Sequence, residues 1–107
     1  MISNIPLPAD PNIAKYADVA YWLPVCEQRA KRLGLDCSKP RRVLDIGTGC
    51  GYFPLVCRGY GHEVVAIDCR ARDRFFRDVT AAISIDVVEH DVAPFVPLPQ
   101  LGTFDVI

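Results

Sequence analysis

The chain has 107 residues, half of them hydrophobic and 23% charged, with a formal net charge of −1. That length allows one domain with a modest core, and the apolar fraction excludes an intrinsically disordered chain. A near-neutral balance gives no global field to draw nucleic acid or an anionic membrane, and no apolar stretch reaches membrane length. The five cysteines are an odd number, with no CxxC pair and no histidine cluster beside them. A disulfide framework or a metal site is therefore not expected. No basic-then-apolar leader follows Met1, so the expected compartment is the cytoplasm.

Residues 1 to 12 carry Pro6, Pro8 and Pro11 and read as an extended arm. From Ile13 the apolar positions Tyr16, Ala17, Ala20 and Leu23 recur at helical steps. Pro24 interrupts them. A second helix is predicted from Pro24 to a stop at Gly34, with Cys26, Ala30 and Leu33 on one stripe; a single kinked helix is the alternative. Residues 36 to 40 form a linker. A strand is expected over 43 to 46, a short helix over 52 to 58 with Pro54 in its first turn, and a second strand over 63 to 67 that stops at Asp68. Residues 70 to 83 read as a helix with Phe75, Phe76, Val79 and Ile83 inward and the pairs Asp73/Arg77 and Arg74/Asp78 outward. A third strand spans 85 to 88, a proline-rich loop 93 to 102, and residues 104 to 107 open a fourth strand.

Strand alternating with helix predicts an α/β fold with a parallel sheet and flanking helices. It forms one domain over 1–107, with an arm and helices over 1–40 and an α/β core over 41–107. In such sheets ligands sit at the carboxyl ends of the strands. The first strand ends in Asp45 and then Gly47, Gly49 and Gly51 at alternate positions, a tight turn whose backbone a ligand can approach closely. Asp45 either shapes that turn or holds a cationic amine. Asp68, 23 positions on (68 − 45 = 23), either accepts ribose hydroxyls or caps the next helix. Asp91 at the third strand end is a loop residue on its own, or an acceptor for an adenine amino group as part of the set. His90 has no visible partner and reads as a surface side chain. A dinucleotide fingerprint needs a glycine where Tyr52 stands, and a phosphate loop needs a lysine that is missing here.

DIGTGCG, the acidic Asp68 closing VVAID, the EHDV stretch and FDVI together resemble the Rossmann-like, class I S-adenosylmethionine-dependent methyltransferases, over about residues 43 to 107. The resemblance implies S-adenosylmethionine as cofactor, held by Asp45, Gly47, Thr48, Gly49, Gly51, Asp68 and Asp91. The glycine turn would approach the methionine part, Asp45 its amino group, Asp68 the ribose and Asp91 the adenine. It also implies a methyl acceptor, which no residue here identifies, and no catalytic residue can be assigned.

The family's sheet usually has seven strands, whereas this sequence stops in the fourth. The expectation is a Rossmann-like domain truncated after about the fourth strand, or one that self-associates through an open sheet edge. A non-catalytic binding or assembly domain is the alternative function, and a nicotinamide oxidoreductase the third. Tyr16, Tyr21 and Trp22 read as core before substrate contacts, Cys50, Cys57 and Cys69 as small buried hydrophobes, and the arginines at 70, 72, 74 and 77 as a solvated helix face.

Overall fold

The computed structural model describes residues 4 to 107. Four helices, α1 (Pro11–Ala14), α2 (Val19–Arg32), α3 (Tyr52–Gly59) and α4 (Arg74–Ala82), accompany three strands, β1 (Arg42–Ile46), β2 (Glu63–Asp68) and β3 (Val87–Glu89). The strands form one parallel sheet in the order β1-β2-β3. Val106 bridges Val43 in parallel, and the Leu44 N–H donates to its carbonyl at 2.9 Å. Because β2 already holds one edge of β1, this segment lies on the other edge. The order of the chain therefore reverses beside β1, which is where open α/β sheets bind ligands. The expected α/β class is the observed one.

The break in the N-terminal helical region falls at Asp18, not at Pro24. The Asp18 carboxylate accepts the Tyr21 N–H at 3.2 Å and caps α2, after a 3-10 turn at Lys15–Ala17. Pro24 lies inside α2, where it removes one backbone bond. Packing of the buried Cys26 and Ala30 in the common core offsets that loss. Gly34, at φ +73, ends the helix as expected, with Leu35 N–H on the Ala30 carbonyl and Gly34 N–H on the Lys31 carbonyl. The arm is shorter than expected, because Asp10 caps α1 and Pro11 occupies its first position. The first three residues of the expected arm lie outside the described residues.

The buried His62 fastens the linker to the sheet. Its Nδ1 accepts the Arg41 N–H at 2.9 Å, and its Nε2 faces the Leu35 carbonyl at 2.6 Å.

Helix α4 begins at Arg74, not at 70. The Asp73 carboxylate accepts the Phe75 N–H at 2.8 Å and caps it. Asp73 thus does not pair with Arg77, whose guanidinium instead reaches Glu89 at the end of β3 at 2.7 Å. Arg74 and Asp78 do pair, at 3.6 Å. The Ile85 N–H bonds to the Thr80 carbonyl and closes the turn that follows α4, so β3 starts at Val87. Residues 104 to 107 contribute a single bridge and no full strand.

Side chains alternate across a strand. The register Val43↔Val64 and Asp45↔Ala66 puts Val43 and Asp45 on one face with Val64, Ala66 and Asp68. The core lies on that face: Val43 clusters with Cys26 and Ala30 of α2, Tyr52, Phe53 and Cys57 of α3, and Phe75 and Val79 of α4, with Val64 packed against them. Asp45 and Asp68 are the polar ends of the same two rows. No helix among the described residues is long and apolar enough to cross a membrane.

Candidate functional site

The turn after β1 is built by three glycines in the left-handed region, Gly47 at φ +77, Gly49 at φ +58 and Gly51 at φ +81. Their roles differ. A Cβ on Gly47 or Gly49 would meet nothing within 4 Å, whereas one on Gly51 would stand 3.2 Å from Thr80 Cγ2 and 3.3 Å from Ile85 Cγ2. Gly51 is the packing glycine and N-cap of α3; the other two keep their backbone open to the cleft.

A cleft of about 520 Å³ lies between this turn and the N-terminal segment, within the range of small-molecule sites. Asp45, Gly47, Thr48, Gly49 and Asp68 line one side, and Tyr16, Trp22, Cys26 and Arg29 line the other, with Phe53 and Phe76. The Thr48 hydroxyl donates to Asp45 at 2.7 Å. Asp68 accepts the Gly49 N–H and the Cys69 N–H, both at 2.8 Å. Burial raises the pKa of Asp45 above its ordinary 3.8; the Thr48 bond and Arg29 oppose that rise, and Asp68 adds to it. Burial outweighs the two groups that favour the Asp45 carboxylate.

A second cleft of about 230 Å³ opens beyond the rim, lined by Ile46, Ile67, Cys69, His90 and Val92. Gly47 and Asp68 line both clefts. Asp68 is therefore the wall that one elongated ligand would cross.

The other expected site residues fall outside these walls. Gly51 supports the turn from beneath. Asp91 lines neither cleft; its carboxylate accepts the Arg70 N–H at 2.9 Å and ties the loop after β2 to the end of β3. Asp68 caps no helix, because Asp73 caps α4. Its alternative reading as a cap is replaced by its bonds to Gly49 and Cys69.

The aromatic set divides. Tyr16 and Trp22 line the large cleft, with ring centroids 5.0 Å apart, while Tyr21 is 59% exposed. The Tyr52 hydroxyl donates to the Tyr16 carbonyl at 2.7 Å, and the Trp22 indole N–H to the Lys15 carbonyl at 2.9 Å. These bonds hold the 3-10 turn against the glycine turn. Cys50 and Cys57 are buried, and burial pushes each thiol up to about 11. Cys69, expected to be buried, is exposed because it follows the last residue of β2. His90 is half-buried, and its Nε2 has no hydrogen-bond partner among the described residues. Arg29 and Cys69 carry no motif, and their adjacency to the α2 stripe and to the end of β2 is the only signal of their place, whereas His90 and Val92 lie in the EHDV stretch around the expected Asp91. No cluster of three or more potential metal ligands occurs among the described residues.

Comparison with known proteins agrees with this arrangement. A family model described as a methyltransferase domain matches residues 19 to 107. No curated protein matches the chain. The match covers all three strands, both clefts' strand-end residues and the whole of α2. The chain belongs to the methyltransferase-domain family, the Rossmann-like class I group that its glycine turn resembles.

Proposed function

We propose that the chain binds S-adenosylmethionine along the rim of the sheet and contributes the cofactor side of a methyl transfer to an acceptor still to be identified. The observation that carries this reading is the shared wall: Gly47 and Asp68 face both clefts, so a ligand with an amino-acid end and a nucleoside end spans them past the glycine turn.

The residues suit that ligand. Asp45 and Asp68 stand on the same face of the sheet, and they favour a cation and repel a pyrophosphate. This disfavours a nicotinamide dinucleotide, as does Tyr52 in place of the last glycine. Gly47 and Gly49 present bare backbone where a side chain would obstruct. Each Asp68 oxygen accepts one N–H and retains lone-pair capacity for a ribose hydroxyl. Cys69, His90 and Val92 then flank the base, and Asp91 positions them through Arg70. When bound, S-adenosylmethionine supplies a methyl group activated on a sulfonium. The chain's own contribution is to orient it and to exclude water with Tyr16 and Trp22.

Titration calorimetry with S-adenosylmethionine, S-adenosylhomocysteine and NAD tests the reading. One-to-one binding of the first two is expected, weakened about ten- to hundredfold in Asp68→Ala, the loss of charged hydrogen bonds. Binding of NAD alone would overturn it.

A further inference from the structure

We propose that Phe95 of one copy inserts into the small cleft of a second copy, forming a twofold dimer that closes the nucleoside end of the site. The competition with cofactor rests on the reading above; the contact itself does not.

Two unusual features meet at Phe95. Its ring is 106% exposed, so it packs against nothing in its own chain, and its backbone stands at φ +61. Pro94 and Phe95 are the central residues of a turn closed by the Val96 N–H on the Ala93 carbonyl at 3.3 Å. A positive φ at the second central position favours glycine. Phenylalanine there combines left-handed strain with a large apolar ring in water. A plain connecting turn needs neither, since glycine would relieve both.

The complementary hole lies three residues back in the chain. Val92 lines the small cleft with Ile46 and Ile67, and Val92 and Ile46 are exposed at its mouth. The cleft volume of about 230 Å³ exceeds the roughly 150 Å³ in which a benzene ring is held. A knob beside a hole on one surface is self-complementary, which a twofold interface requires: each copy gives its ring and receives the other's. The loop chemistry suits a like partner. Residues 92 to 104 carry no charge, so two copies meet there without like-charge repulsion. Pro94, Pro97 and Pro99 have no N–H and the Val96 N–H is already bonded, so few donors lose water in the contact. Cys69, His90 and Val92 are the residues assigned to the base, so an incoming ring and a bound nucleoside exclude each other.

Light scattering on the protein over a concentration series tests this. The parent's mass is expected to double as concentration rises. Phe95→Ala should weaken the dimer at least about a hundredfold, because two rings are lost per dimer. Phe95→Gly should lose it equally and unfold at a higher temperature than monomeric Phe95→Ala, since glycine relieves the turn. Saturating S-adenosylhomocysteine should return the parent to monomer. A parent that is monomeric at every concentration gives the ring to another partner and overturns the proposal. A dimer that persists in Phe95→Ala overturns it in favour of the open sheet edge. A Phe95-dependent dimer that survives while S-adenosylhomocysteine is bound overturns the seat in the small cleft. If the dimer depends on Phe95 but monomeric Phe95→Ala binds no S-adenosylhomocysteine, the contact stands and the cofactor reading falls.

Discussion

The carboxylate of Asp68 accepts the N–H of Gly49 at 2.8 Å, fastening the end of β2 to the glycine turn that follows β1. The same side chain also holds the Cys69 N–H. One residue thus organises the turn and faces both clefts. Asp68→Ala is expected to destabilise the ligand-free protein by about 1–3 kcal/mol, since it leaves two N–H groups without their acceptor. Asp68→Asn, with a single oxygen, should lie between it and the parent. Urea midpoints for the three proteins decide this; identical midpoints would show that the bonds to the turn carry no stability.

Asp45 makes stability depend on pH. Burial, the largest influence, raises its folded pKa above the ordinary 3.8, so the folded state holds the proton longer than the unfolded chain. Its contribution to stability is complete below pH 3.8 and is lost as pH rises through the higher folded value. Asp45→Asn removes that loss. Relative to the parent, its stability should therefore improve as pH is raised from the acid side of this window to neutrality. A ligand ammonium favours the ionised carboxylate, so S-adenosylmethionine affinity should rise over the same window. Denaturation and calorimetry across a pH series read both slopes, and a constant difference between variant and parent would contradict the assignment.

Two glycines of the turn should separate stability from binding. Gly51→Ala places a Cβ 3.2 Å from Thr80 Cγ2 at φ +81, adding crowding to left-handed strain, and is expected to cost about 2–4 kcal/mol. Gly49→Ala meets open space at φ +58 and should cost only the strain, about 1–2 kcal/mol. Its larger effect should fall on S-adenosylhomocysteine affinity, because its methyl group occupies the ligand's side of the turn. Thermal unfolding paired with titration distinguishes the two variants.

Tyr52 secures the N-terminal wall. Its hydroxyl donates to the Tyr16 carbonyl, and burial raises its pKa well above the phenolic range, so the donor proton persists at any ordinary pH. Tyr52→Phe is expected to cost about 1 kcal/mol and to speed hydrogen exchange in the 15–22 region. Unchanged exchange there would show that the 3-10 turn is held by aromatic packing alone.

Much of this site was legible from residue order. The apolar runs ending in Asp45 and Asp68 predicted β1 and β2 to within one residue, because a run bounded by charge and glycine leaves little freedom in where a strand stops. Gly34 and Pro54 likewise fell at the helix positions their backbones require. The N-terminal helices were harder: Asp18 and Pro24 are both break signals, and capping by Asp18 prevailed while α2 continued through the proline. Asp73 outcompeted its ion pair with Arg77 in the same way, since one carboxylate cannot both cap α4 and face the next turn. Tyr16 and Trp22 carry helical spacing that fits a core as well as a cleft, and only the fold shows them against the glycine turn. Arg29 stands beside other charged residues on α2, and nothing in the order of residues marks it as the one that faces Asp45's cleft.

The most direct measurement is an amide NMR titration of the protein with S-adenosylhomocysteine. Shifts should concentrate at Gly47, Thr48, Gly49, Cys69, His90 and Val92, the backbone along both clefts and the wall between them. Shifts restricted to the large cleft, or scattered away from the strand ends, would contradict a ligand that crosses Asp68.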